Sequence, residues 1–202
     1  MLKKFREWFA MNRAALNKAE GQSWPTTLAN RVHLSTAVMR LEDDQAFQWF
    51  VATDEDIPDI VRIQELSYNG SAPWNKKALE HEINHNTRAL YLIVRDQERP
   101  LAFIGAWFVE EEAHITNIAV VPAERNKGIA LRLMKEMMQL AQKEDMVKVS
   151  LEVRVSNVAA QHLYRKLGFK DGKVKKEYYA GDHEDALEMS LLLRKRDSYE
   201  PH

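Results

Sequence analysis

The sequence predicts an α/β fold, a mixed sheet flanked by helices. Three observations carry this. From Phe47 onward, segments with period-two apolar alternation exchange with segments of period 3.6. Two pairs of strand-like segments are joined by short polar stretches, as hairpins are. Other strands are separated by helices, which makes crossovers, and hairpins with crossovers give a mixed sheet. The 202 residues, 45% hydrophobic and 29% charged, suit one globular domain with some length to spare.

The elements follow in order. Leu2, Phe5, Phe9 and Leu16 share roughly one side of a short helix that Gly21 and Pro25 end. Residues 1–45 read as a partly helical extension. Its helix either docks on the body or a partner subunit, or lies on a membrane surface with Phe5, Trp8 and Phe9 among Lys3, Lys4 and Arg6. Residues 46–195 form the main domain and 196–202 a tail. Residues 47–53 alternate as a strand. Asp54 or Asp56 can cap a helix with Pro58 in its first turn, running to Ser67. A second helix spans 75–84. Strands 89–94 and 101–109 flank the polar turn at 96–100. Strand 113–121 leads through a glycine-bearing turn into a helix that ends near Lys143. Its face of Ala130, Leu133, Met134, Met137, Met138 and Ala141 suits packing on a sheet. Strand 147–155 precedes a short helix, 157–167, stopped by Gly168. Strands 168–176 and 186–193 close the domain around a polar loop.

Composition excludes several functions. There are no cysteines, hence no disulfide, thiolate metal site or cysteine nucleophile, as suits a cytoplasmic protein. The net charge of -1 gives no general attraction to nucleic acid. Splitting the charges changes little: the first 46 residues carry seven basic and five acidic side chains, the remainder 22 and 25. No apolar run approaches the roughly 20 residues that span a bilayer.

The segment from Ile118 to Phe169 holds the chemistry. Gly128 opens a helix whose first amides have no internal partners, and the helix dipole adds attraction for phosphate, as do Arg125 and Lys127. The nucleotide P-loop pattern is absent, as are the three spaced glycines of a dinucleotide fingerprint. A bare turn of this kind is also an ordinary tight connection. Glu152 on a strand lies 12 residues before Tyr164 on a helix, a potential base and acid. Each also has a plain reading, Glu152 on a solvated strand face and Tyr164 in the core. Asn157 caps a helix, binds a ligand, or both.

These residues match a family. Arg125-x-x-Gly128-x-Ala130 resembles the Gln/Arg-x-x-Gly-x-Gly/Ala motif of the GNAT acetyltransferases. Downstream, Leu151-Glu-Val-Arg-Val-Ser-Asn157, Ala159-Ala160, Leu163-Tyr164 and Lys166-Leu-Gly-Phe169 resemble its RimI branch. So do Ala72-Pro-Trp74, Glu177-Tyr-Tyr179 and Glu184-Asp-Ala186. The likeness spans residues 47–193. It implies a central, mostly antiparallel, twisted sheet splayed at an acetyl-CoA site. The loop Arg125, Asn126, Lys127, Gly128, Ile129, Ala130 and Leu131, with Asn157, would hold acetyl-CoA. Ile118, Ala119 and Val120 would aim amides at the acetyl carbonyl, on a strand with a bulge or splay. Glu152 would be the base and Tyr164 the acid, with no metal. The resemblance implies direct attack in a ternary complex by an N-terminal α-amine of a protein, the branch's own acceptor being ribosomal. Such an amine has a pKa of about 7.7–8.0 against about 10.4 for lysine, so it gives up a proton more readily. Lysine or a small-molecule amine is the alternative acceptor. Trp74, Tyr178 and Tyr179 are candidate walls of the acceptor groove.

One motif points elsewhere. His81-Glu82-Ile-Asn-His85 is a literal His-Glu-x-x-His, which on a helix sets two imidazoles on one face for zinc. Arg88 and Tyr91 stand where a longer zinc motif needs glycine and a third histidine. A zinc peptidase is therefore the remote alternative.

Overall fold

The computed structural model describes residues 27–41, 44–68, 70 and 72–193. The helix predicted around Leu2, Phe5, Phe9 and Leu16 and the tail at 196–202 lie outside the described residues. In chain order the elements are α1 (Leu28–Arg31), β1 (Val38–Arg40), β2 (Ala46–Val51), α2 (Ile57–Ser67), α3 (Lys76–Asn84), β3 (Ala89–Asp96), β4 (Arg99–Val109) and β5 (Glu112–Val120). They continue with α4 (Ile129–Lys143), β6 (Lys148–Arg154), α5 (Val158–Lys166), β7 (Lys170–Lys175) and β8 (Ala186–Leu192). One sheet takes all the strands in the order β1-β2-β3-β4-β5-β6-β8-β7. Only β5 and β6 run parallel; the other neighbours are antiparallel.

Local chemistry sets the helix ends. Thr53 N–H donates to the Asp56 carboxylate at 2.7 Å, starting the turn that leads into α2. Asn75 caps α3 by accepting from Ala78 N–H at 2.9 Å. Asn157 caps α5 by accepting from Ala160 N–H at 3.1 Å. Gly168, at φ +94°, turns the chain out of α5 so that Phe169 N–H reaches Tyr164 O at 3.0 Å.

The sheet separates two apolar layers. On one face, Leu133, Met134, Met137, Leu140 and Ala141 of α4 pack with Ala113, Ile115, Val149, Leu151 and Val153. The predicted methionine face is thus helix-on-sheet packing. On the other, Ile57, Ile60 and Ile63 of α2 and Leu79 of α3 pack with Tyr91, Phe103, Trp107 and Ala119. Residues 28–41, read from sequence as part of the extension, belong to the first layer: Leu28, Val32, Met39 and Leu41 are buried there. Arg31 pairs with Glu144 at 2.5 Å, and Ser35 N–H donates to the buried Glu136 at 2.6 Å. Fully burying each large aliphatic side chain stabilises by roughly 1.5–3 kcal/mol.

The site is prepared by an irregularity. Gly105 pairs with Asn117 and Ala106 with Ile115, so Thr116 is a surplus residue, a bulge in β5. A Cβ on residue 105 would lie 2.5 Å from Asn117 Oδ1 and 2.5 Å from the Tyr91 ring, so any larger residue would have to push these side chains aside. Pairing of β5 with β6 covers only Glu112 to Ile115 against Lys148 to Leu151. Beyond the bulge the two strands part. Ile118, Ala119 and Val120 stay paired with β4 but have no partner on the β6 side.

Candidate active site

The parted strands open a cavity of about 490 Å³. It draws walls from both layers: Ile115, Leu151 and Tyr164 from the α4 side, Trp74 and Trp107 from the α2 side.

The glycine-bearing loop before α4 does not line this cavity. Asn126 and Gly128 take left-handed conformations, φ 63° and 90°, which turn the loop into the helix. The amides of Asn126, Lys127, Gly128, Ile129, Ala130 and Leu131 find no acceptor among the described residues; Arg132 N–H is the first to bond back, to Gly128 O at 3.0 Å. This fits a phosphate group held by main-chain donors at the positive helix end. The two cations are already engaged. Arg125 donates to the carbonyls of Val120 and Ser67, both at 3.1 Å, bracing loop to strand and helix. Lys127 pairs with Glu124 at 2.9 Å. Asn157 lines the cavity while capping α5.

Across the cleft sits Glu152, its side chain 10% exposed. His114 Nε2 lies 3.1 Å from Oε2, Lys175 Nζ 2.5 Å from Oε1, and Tyr178 donates to Oε2 at 3.2 Å. Burial alone would raise its pKa, but the hydrogen bonds and charges of His114 and Lys175 prevail and hold it at about 2. Ionised in this way, Glu152 can attract an ammonium.

Tyr164 is buried and lines the same cavity, its ring 5.9 Å from that of Phe169. No described residue hydrogen-bonds its hydroxyl. Burial, reinforced by Tyr68 and Tyr179, pushes its pKa well above the ordinary phenol value, so it keeps its proton. Trp74, Tyr178 and Tyr179 all line the cavity. Buried Gln64 of α2 pins Trp74 by two bonds of 2.9 Å to its main chain. Arg154 covers the Tyr179 ring at 4.0 Å and pairs with Asp182 and Glu184, tying down the loop before β8.

Sequence reasoning did not single out Gln64, Trp107, His114 or Lys175. Alternation along β5 does place Glu112, His114 and Thr116 on one face, which was the available signal for His114. The His81 and His85 rings lie 6.0 Å apart on the exposed end of α3. Glu82 points instead into the core, where it accepts from Trp107 Nε1 and from Asn86 Nδ2 at 3.0 Å. Among the described residues no group of three or more His, Asp or Glu side chains could hold a metal ion. No described helix is long and apolar enough to cross a membrane.

The sheet parts beside a bulge, the opening holds an ionised carboxylate and a buried tyrosine, and a glycine-bearing loop with unbonded amides starts α4. The GNAT acetyltransferase family model matches residues 57–169, and the chain belongs to this family: it is an acetyl-CoA-dependent N-acetyltransferase. Among its relatives, the ribosomal protein bS18-alanine N-acetyltransferase of Salmonella typhimurium is 32% identical over 145 residues, 71% of this chain and 95% of that protein. A Bacillus subtilis protein named provisionally for the same activity is 38% identical over 139 residues, 69% of this chain and 91% of its own. The crystal structure of the Escherichia coli ribosomal-protein-S18-alanine N-acetyltransferase superposes with a TM-score of 0.68 at 26% identity, covering 77% of this chain and 99% of that one.

Proposed function

We propose that the protein acetylates the N-terminal α-amine of a protein, with a ribosomal protein of the bS18 type as acceptor, in the cytoplasm. The observation that carries this is the cavity between the parted strands, lined by the ionised Glu152 and by Tyr164. The names of the relatives point to the same acceptor class. When bound, acetyl-CoA supplies an acyl group on a thiol leaving group; the loop from Arg125 to Leu131 and Asn157 would hold its phosphate-bearing part. In the ladder with β4 the Ala119 amide turns toward Phe103, so the amides of Ile118 and Val120, lacking a β6 partner, are the ones available to the acetyl carbonyl. Glu152 draws in the acceptor's ammonium and, acting through a water, takes one of its protons, which frees the nitrogen's electron pair for attack. Tyr164 keeps a proton at Oη that it can give to the departing thiolate. Trp74, Tyr178 and Tyr179 exclude water around the amine. No metal enters this scheme.

The test offers acetyl-CoA with a panel of peptides, including one with the N-terminal sequence of bS18, and identifies products by mass. Acetylation of the first residue's amine is expected. A peptide blocked at its N-terminus but modified on lysine, with the free N-terminal panel untouched, would replace this reading with a lysine acetyltransferase.

A further inference from the structure

Glu152 has a second carboxylate beside it. In the pairing of β6 with β8 it stands directly opposite Glu188. Like charges across a strand pair repel, and one cation answers both. Lys175, the last residue of β7, lies with its Nζ 2.5 Å from Glu152 Oε1 and 3.1 Å from Glu188 Oε2. Lys175 and Glu152 line the cavity; the partly exposed Glu188 stands outside it. The Lys175 ammonium also lies 5.9 Å from the centre of the Tyr178 ring, a wall of the same cavity.

This arrangement puts a cation of the protein's own where the acceptor's ammonium has to bind. Oε2 of Glu152 already takes His114 Nε2 at 3.1 Å and the Tyr178 hydroxyl at 3.2 Å. The carboxylate oxygen with room for another donor is Oε1, and Lys175 sits on it. Two ammonium groups on one oxygen stand within about 5 Å of each other, where like charges in a partly enclosed site repel strongly. Lys175 has an alternative within reach. It touches Glu188 already, and exchanging both carboxylates for Glu188 alone takes a rotation near the end of its side chain, with β7 in place.

We propose that Lys175 stands in for the acceptor's ammonium at Glu152 and yields to it by moving to Glu188, so that Lys175 and Glu188 are positioning residues for acceptor binding. This rests on the reading of Glu152 as the group that draws in the ammonium. No covalent bond changes in the exchange. One cation shared by two carboxylates becomes two ion pairs, acceptor with Glu152 and Lys175 with Glu188, and the charges balance. The exchange also serves the step that follows. Lys175 is among the groups that hold the Glu152 carboxyl far below the usual carboxylate range. The cation that replaces it is the one that gives up a proton, so Glu152 becomes more basic as the acceptor's amine turns neutral.

The experiment uses the full chain, the panel peptide that is acetylated, and the same peptide with a hydroxyl in place of its N-terminal amine. The hydroxyl peptide is neutral and nearly the same shape, and is measured as a competitive inhibitor. Lys175→Met should lower KM for the amine peptide roughly three- to tenfold, with the inhibition constant of the hydroxyl peptide and KM for acetyl-CoA as in wild type. Lys175→Gln, a second neutral variant at this partly exposed position, should do the same. Glu188→Gln should raise KM for the amine peptide by a similar factor, but by less than about twofold when Lys175→Met is also present. A Lys175→Met enzyme that binds the amine peptide no better, or that gains equally for the hydroxyl peptide, overturns the proposal. So does an effect of Glu188→Gln that is the same with and without Lys175. A wild-type KM for the amine peptide in Glu152→Gln refutes the reading of Glu152 beneath the proposal, and wild-type protein that acetylates no amine refutes acetyl transfer itself. Both are distinct from an unaltered Lys175→Met in an enzyme that needs Glu152.

Discussion

Replacing Glu152 by Gln tests the electrostatics of the site without any substrate. The carboxyl falls from an ordinary value of 4.5 to about 2 on folding. That difference corresponds to about 3 kcal/mol of stability, and a side chain only 10% exposed loses little of it to solvent. The sign follows from linkage. A depressed folded-state pKa means that the unfolded chain binds the proton first. The contribution is therefore complete above the unfolded value of 4.5 and disappears as the pH falls toward about 2. Urea titrations of wild type and Glu152→Gln at a series of pH values should show a gap of about 3 kcal/mol between pH 6 and 8. The gap should begin to close below pH 5 and be down to about a quarter near pH 2.5. At neutral pH it should appear as a melting point about 6–12 °C lower in the variant. A variant as stable as wild type at pH 7, or a gap that stays constant down to pH 3, would refute the ionised carboxylate between His114 and Lys175.

Tyr164→Phe should lower kcat by roughly 100-fold or more with little change in acetyl-CoA affinity by calorimetry; unchanged turnover would remove it as the acid. Gly105→Ala should destabilise by about 1–3 kcal/mol in chemical denaturation, because its Cβ meets Asn117 and Tyr91 at 2.5 Å; a neutral result would mean that the bulge yields freely. Deleting residues 1–45 removes β1 and the buried Leu28, Val32, Met39 and Leu41. At roughly 1.5–3 kcal/mol each, these losses should abolish cooperative thermal unfolding; a truncated chain that still melts sharply would show the rest of the core to be self-sufficient.

Much of the fold was legible because its signals are local. The caps at Asn75 and Asn157, the stop at Gly168 and the apolar face of α4 depend on residues within a turn or two. α1 and β1 escaped because four and three residues are too short to show a period. In the site, the loop at Gly128 and the pair Glu152 and Tyr164 stood out through spacing. Their partners did not. His114, Lys175 and Gln64 reach the cavity from β5, β7 and α2, and only the sheet order brings them together. The histidine pair at His81 and His85 shows the converse: the spacing suits zinc, yet burial turns Glu82 to the indole of Trp107. The bulge had left a trace. Apolar residues facing the α4 layer fall at Ala113 and Ile115, then at Ile118 and Val120, an odd step that an unbroken strand cannot contain.

That odd step locates the origin of the cleft in arithmetic. Thr116 is one residue more than β4 can match. Removing it would leave Ile115, Asn117 and Ile118 on the faces they now occupy, as a regular strand, and would take away only the divergence from β6. Exchanging it for another side chain would alter the lining and keep the wedge. What the position encodes is therefore length, and the gap in the middle of the sheet is inherited as a count, erased by a single deletion.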